Sequence, residues 1–173
     1  MKNFNILFLG GAKRVSLAER FVLAGLELGL KVNVFSYELD VKVPFSIVGD
    51  VIKGKLWEDG DIYDDLIDII EKKDILIVLA NVDSATLVLA ELNEKHPHLG
   101  LITSRKSLCN IFLDKLKAQK QCEKVGIKII PLSNVEFPMI LKPRKGSASK
   151  GICVANDVTD LDYILTQIDE KDY

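Results

Sequence analysis

Two runs in this chain are apolar at every position, and they restrict the fold more than any other feature. They are Ile6-Leu7-Phe8-Leu9 and Ile75-Leu76-Ile77-Val78-Leu79. A strand with no polar face must be covered on both sides, which is the situation in parallel sheets with helices above and below. Helical periods fill the intervals. Leu17, Phe21, Ala24 and Leu28 recur at spacings of four and three, with Gly29 placed to end that helix. Ile62 to Lys72 predicts an acidic-faced helix with Leu66, Ile67 and Ile70 inward. Ala85 to Leu92 predicts an apolar helix capped by Asp83 or Ser84. Val32, Val34 and Phe35 predict a second strand, Phe45-Ser46-Ile47-Val48 a short third and Leu99-Gly100-Leu101-Ile102 a fifth. Right-handed crossovers then give an α/β, doubly wound, Rossmann-like parallel sheet.

The balance of side chains agrees with a globular protein of 173 residues: 48% hydrophobic, 28% charged, and a formal net charge of −2. This excludes a disordered charged tail, a collagen-like repeat and a disulfide-stapled miniprotein. No apolar run approaches the roughly 18–20 residues that a bilayer span needs. The opening apolar stretch runs into Gly10-Gly11 and Lys13-Arg14 without a small-residue cleavage site, so it reads as a core strand and not as a signal peptide. Cys109, Cys122 and Cys153 are odd in number and far apart, the usage expected of reduced thiols in a cytoplasmic protein.

The pattern changes near residue 105. Basic residues dominate from Arg105 to Lys128, where a single long helix ending at Gly126 is expected. Ile127 to Pro131 predicts a short extended segment, and Phe137 to Pro143 a strand bracketed by prolines. Gly151 to Ala155 predicts the returning strand and Val158 to Ile168 a closing helix. The expected organisation is therefore a domain over residues 1–104 and a second, small α+β unit over 105–173.

The sharpest local feature is Lys142-Pro143-Arg144-Lys145-Gly146-Ser147-Ala148-Ser149-Lys150-Gly151. A residue before proline favours extended geometry, so Lys142 should end its strand on a rigid base. Side chains from 146 to 149 are small, the two glycines permit positive φ, and successive backbone N–H groups in such a loop can wrap an anion. With Lys142, Arg144, Lys145 and Lys150 and no acid nearby, phosphate is the expected guest; the bland reading is a solvated basic hairpin. The nucleotide P-loop is excluded, because Ile152 stands where that motif requires lysine and a strand follows.

Lys115 is the second anomaly. Ile111, Lys115, Ala118, Cys122 and Val125 fall on one narrow helical arc. The arc fits a lysine whose stem packs while its head reaches water, and equally an ammonium held beside a cleft for a charged ligand. Gly10-Gly11-Ala12-Lys13-Arg14 lies between the first strand and helix, the anion-friendly place in such folds. Its glycine spacing fails the dinucleotide fingerprint, which disfavours an NAD site although Glu38 follows the second strand. Arg14 is a candidate for a substrate carboxylate, as are Asn81 and Asp83 for contacts at the carboxyl end of the strongest strand; a structural turn and a helix cap are the competing readings. His96 and His98 lack companions at metal spacing. There is no Gly-x-Ser-x-Gly elbow. The charge balance gives no support to nucleic-acid binding.

From Ser107 through Asp114-Lys115, Gly126-Ile127-Lys128-Ile129-Ile130-Pro131, Phe137 to Pro143 and Gly146 to Gly151, the chain resembles the ATP-grasp superfamily. Within it, the resemblance is to the carbamoyl-phosphate synthase large subunit and related carboxylate–amine ligases. It implies a Rossmann-like pre-ATP-grasp domain followed by the first lobe of an ATP-grasp fold. It implies that Lys115 and Lys142 contact nucleotide, and that Gly146, Ser147, Ala148, Ser149, Lys150 and Gly151 form the flap over the ATP phosphates. The implied chemistry is attack of a carboxylate on the γ-phosphate of MgATP, followed by displacement of phosphate by an amine. The family's Mg²⁺ ligands lie in a later lobe, and no candidate for them is found here. The expectation is an incomplete catalytic unit with weak or absent ATP binding on its own: a truncated chain, a degenerate product or one half of a split enzyme whose partner supplies the other lobe. A non-catalytic scaffolding module and, less favoured, an NAD-binding domain are the alternatives; association into homo-oligomers stays open.

Overall fold

The computed structural model describes residues 2–129, 136–146 and 148–173. They divide into two compact units, residues 1–106 and 107–173.

The first unit is a three-layer α/β structure. Strands β1 (Lys2–Leu9), β2 (Leu30–Glu38), β3 (Asp50–Lys53) and β4 (Ile75–Ala80) form one sheet in the order β3-β2-β1-β4. Every pairing is parallel; Leu9 lies beside Tyr37 on one side and Ala80 on the other. Helices α2 (Ile62–Lys72) and α3 (Asp83–Lys95) cover one face. Their Ile62, Leu66, Ile70, Val88 and Leu92 pack with Leu7, Leu9 and Val78 of the strands. Helix α1 (Val15–Glu27) covers the other face, where Ala18 packs with Ile6, Phe8, Val34 and Phe45. The apolar run Ile6–Leu9 of β1 thus feeds alternate residues to two cores, as its sequence requires. Gly29, at φ +70°, closes α1.

Three expectations fail in this unit. Residues 44–47 form a 3₁₀ turn, not a third strand. Pro44 fixes its start, and Phe45 is wholly buried with its ring 5.2 Å from that of Phe8. The third strand lies later, at Asp50–Lys53. No strand forms over 99–102: Pro97–Leu99 is a 3₁₀ turn ended by Gly100 at φ +61°. Leu99 and Leu101 pack against the core while Ile102 stays exposed, so their alternation reflects packing without strand pairing. Helix α3 begins at Asp83 with Val82 at its cap and no side-chain cap hydrogen bond. Asp83 is therefore a first-turn acid facing the helix dipole, not a cap.

In the second unit, the long basic helix is two helices, α4 (Lys106–Phe112) and α5 (Lys115–Lys124). Asp114 lies between them in extended geometry (φ −110°, ψ 112°), and its carboxylate accepts hydrogen bonds from the N–H groups of Leu116 and Lys117. The break dissolves the five-residue arc. Ile111 belongs to the other helix, Val125 lies beyond α5 at 60% exposure, and α5 buries no residue. Strands β5 (Met139–Leu141) and β6 (Cys153–Ala155) pair antiparallel, with Leu141 opposite Cys153, and α6 (Val158–Gln167) follows. Asp157 caps α6 by accepting from the N–H of Asp160. Residues 127–129 form no strand; the rest of the extended segment expected there lies outside the described residues.

Candidate functional site

The cationic loop joins β5 to β6, so it is a hairpin flap between antiparallel strands. Lys142 follows β5 directly, before Pro143. Beyond it the backbone turns through positive φ at Gly146 (+107°), Ala148 (+57°), Ser149 (+57°) and Gly151 (+75°). Positive φ at two consecutive non-glycine residues is uncommon and strained. It concentrates here in the segment singled out for anion binding. Ser147 lies outside the described residues.

Lys115 and Lys142 line one cavity of about 250 Å³, together with Leu116, Gln119, the β5 residues Met139–Leu141, Arg144 and Tyr173. Met139, Leu141 and Leu116 make one side of it apolar while the two lysines supply positive charge. The Lys115 ammonium donates a hydrogen bond to the Gly146 carbonyl at 3.0 Å. It is thus held against the flap by a contact with the flap's own backbone. The inward-stripe argument for Lys115 is not realised, but its place beside a cleft is. Lys150 is exposed and lines neither this cavity nor its neighbour.

The neighbouring cavity, about 460 Å³, is lined by Asp114, Lys117, Pro143, Arg144, Lys145, Lys171, Asp172 and Tyr173. At its floor, Arg144 Nη2 donates to Asp114 Oδ2 at 2.7 Å and Arg144 Nε to Asp114 Oδ1 at 3.3 Å. The guanidinium holds the Asp114 carboxyl below its ordinary range against the opposing effect of burial. Sequence reasoning missed Asp114. The available signal was an N-cap residue type immediately before a helix of lysines.

In the first unit a crevice of about 410 Å³ opens at the carboxyl ends of β1, β2 and β4. Gly10, Ala12, Lys13, Arg14, Tyr37, Glu38, Lys55, Trp57, Asn81 and Val82 are among its walls. This is the ligand crevice of open α/β sheets, where connections leave the central strand in opposite directions. Arg14 and Asn81 both line it; Asp83 does not. The Asn81 side chain donates to the Leu79 carbonyl. Glu38 already accepts a hydrogen bond from the Ser36 hydroxyl at 2.6 Å. The Tyr37 ring lies 5.9 Å from that of Trp57, and its hydroxyl donates to Asp65 and accepts from the Lys55 N–H. Burial and the Asp65 carboxylate push that phenol well above its usual range, so it stays a neutral wall.

Among the described residues no group of three His, Cys, Asp or Glu side chains could hold a metal ion. No Asp or Glu side chain among the described residues lines the cavity shared by Lys115 and Lys142. No helix among them is long and apolar enough to cross a membrane.

No known family model matches the chain, and no curated protein matches it in sequence. Solved structures do. An L-amino acid ligase from Bacillus licheniformis superposes with a TM-score of 0.67 at 17% identity, covering 96% of this chain and 42% of that one. N5-carboxyaminoimidazole synthetase from Staphylococcus aureus, solved with ADP, gives 0.67 at 20% identity over 94% of this chain and 44% of the other. D-alanine–D-alanine ligase from Bacillus anthracis, solved with ATP, gives 0.52 at 17% identity over 99% and 56%. At such identities the likeness shows the fold, and that fold is the one implied by the resemblance to ATP-grasp ligases. The chain spans about half the length, or less, of these structures.

Proposed function

We propose that this chain supplies a leader domain and the phosphate-holding flap of an ATP-dependent ligase of ATP-grasp type. The observation that carries the reading is the shared cavity of Lys115 and Lys142 beside the positive-φ flap. Two ammonium groups lining one cleft suit a triphosphate, whose negative charge they offset. The two neighbours solved with ADP and with ATP support a nucleotide as the guest. The reaction would be phosphoryl transfer from ATP to a carboxylate, a chemistry in which the protein mainly positions groups and stabilises charge. Lys115 and Lys142 would hold the phosphates and the flap would exclude water. No step is assigned to a metal ion. The narrower kinship with carbamoyl-phosphate synthase rests on the sequence motifs.

Amide shifts in a nitrogen-15 spectrum test this reading, because they register weak binding and locate it. Added ATP with Mg²⁺ should move resonances of residues 142–151 and 115–117. Lys142→Ala should weaken the response about tenfold while leaving the rest of the spectrum in place, the loss expected of one charged hydrogen-bonding group. Shifts confined to Gly10–Arg14, or no shifts at all, would overturn it.

The crevice in the first unit is, by itself, a candidate site for a small carboxylate, with Arg14 and Lys13 as its cations and Trp57 as an apolar wall. Trp57 is the only tryptophan in the chain, so its emission reports on this crevice alone. 3-Phenylpropionate should change that emission, and Arg14→Gln should remove the response. Constant emission up to about 10 mM, the limit of the weakest useful affinities, would remove the crevice from the proposal.

A further inference from the structure

Arg144 sits in the most cationic stretch of the sequence and reads there as one more phosphate ligand. Its surroundings say otherwise. Both Nε and Nη2 face Asp114, which is 2% exposed, at 3.3 and 2.7 Å. Such a forked pair uses the planar geometry of guanidinium and holds its direction. Asp114 is at the same time the cap of α5, with Oδ1 accepting from the N–H groups of Leu116 and Lys117 at 3.1 Å each. The Arg144 main chain completes the joint, because its carbonyl accepts from the Lys115 N–H at 2.8 Å. Two residues onward, the Gly146 carbonyl receives the Lys115 ammonium.

Lys115 is therefore gripped at three points by one short stretch of the flap: through its neighbour's carboxylate, its own amide and its own ammonium. We propose that Asp114 and Arg144 are a positioning pair that sets Lys115 against the flap, and that Arg144 does not itself bind phosphate. This deepens the reading of the site as a phosphate cleft and rests on it. It leaves Lys115 and Lys142 as the cations of the cleft that are available to a nucleotide. It also explains why a carboxylate is buried within a cationic region: without it, Arg144 would be a competing anion ligand and the start of α5 would have lost its cap.

A ligand and a positioning residue respond oppositely to loss of Asp114. ATP titrations followed by amide shifts on Asp114→Asn, Arg144→Gln, Arg144→Lys, Lys115→Ala and Lys115→Ala/Arg144→Gln separate them. Asp114→Asn and Arg144→Gln should each weaken ATP binding about tenfold. Arg144→Lys should fail to restore it, since an ammonium lacks the fork. The double variant should bind no worse than Lys115→Ala alone, because Arg144 acts through Lys115; a general loss of structure would add to the Lys115 effect. Unchanged or tighter binding in Asp114→Asn with loss in Arg144→Gln would make Arg144 a ligand and overturn the proposal. So would multiplied losses in the double variant. If Lys115→Ala and Lys142→Ala leave the response untouched, the phosphate reading falls instead. Hydrogen exchange without nucleotide tests the pair separately. Arg144→Gln should speed exchange at Lys115–Lys117 about tenfold or more relative to β4, and equal protection would overturn the positioning role.

Discussion

Gly11 carries no side chain because none fits. A Cβ at that position would sit 2.7 Å from both the Ser36 hydroxyl oxygen and the Phe8 Cβ. The glycine lets the turn after β1 close onto buried residues, so its first role is packing, whatever the crevice binds. Gly11→Ala should therefore cost about 1–3 kcal/mol in urea unfolding, the usual penalty for overpacking. A smaller loss would mean that Ser36 can move aside. The pair of glycines was visible in the sequence, and so was the reading that they serve structure. Lys115 and Lys142 were also visible, the first for a reason that did not hold. Asp114 was not, because a carboxylate inside a basic helical pattern, like Glu123 further on, looks like a surface residue until its partner, thirty positions away, is known.

Elements show the same division. The strand and helix periods of β1, β2, α2 and β4 were legible because each buries a face that its spacing defines. Helix α1 was legible as a helix, but its buried face runs through Ala18, Phe21, Val22 and Gly25 and leaves Leu17, Ala24 and Leu28 exposed. The errors at 45–48 and 99–102 share a cause. Near Pro44 and Gly100, apolar residues pack from a 3₁₀ turn or an unpaired segment (Phe45 and Val48 inward with Ile47 exposed, Leu99 and Leu101 inward with Ile102 exposed), and apolar content alone does not distinguish these from a strand. The break between α4 and α5 escaped notice for a different reason. No proline or glycine marks it; Asp114 leaves helical geometry because its carboxylate is held by Arg144 and by the next helix's N–H groups. The end of α1, by contrast, is set locally. At Gly29 a Cβ would meet nothing within 4 Å, and φ is +70°. Gly29→Ala should thus cost about 1–2 kcal/mol in a denaturant melt from left-handed backbone strain alone. A neutral substitution would show that the turn can adopt another conformation.

At the scale of the whole molecule, four carboxylates among the described residues are held down by their neighbours. Hydrogen bonds from Lys106, Lys95 and the Tyr63 hydroxyl draw Glu91 down to about 2 from an ordinary 4.5. Arg144 lowers Asp114, Lys55 lowers Asp61, and the backbone and side chain of Asn156 lower Asp160. A depressed carboxyl binds fewer protons folded than unfolded, so its contribution is full above the unfolded value and fades as pH falls through the folded one. The melting temperature followed by circular dichroism should decline as pH drops from about 4.5 towards 2. Glu91→Gln should flatten part of that decline; a melting temperature that rises on acidification would contradict the assignment. What the sequence determined by itself was the layer architecture, the order of β1, α1, β2, α2, β4 and α3, and the cationic hairpin, because burial periodicity and local backbone preferences act over a few residues. What the tertiary structure alone decided was which cations remain available to a ligand. That depends on a carboxylate brought from position 114 to position 144, and on a lysine whose direction is fixed by the backbone of a loop it does not belong to.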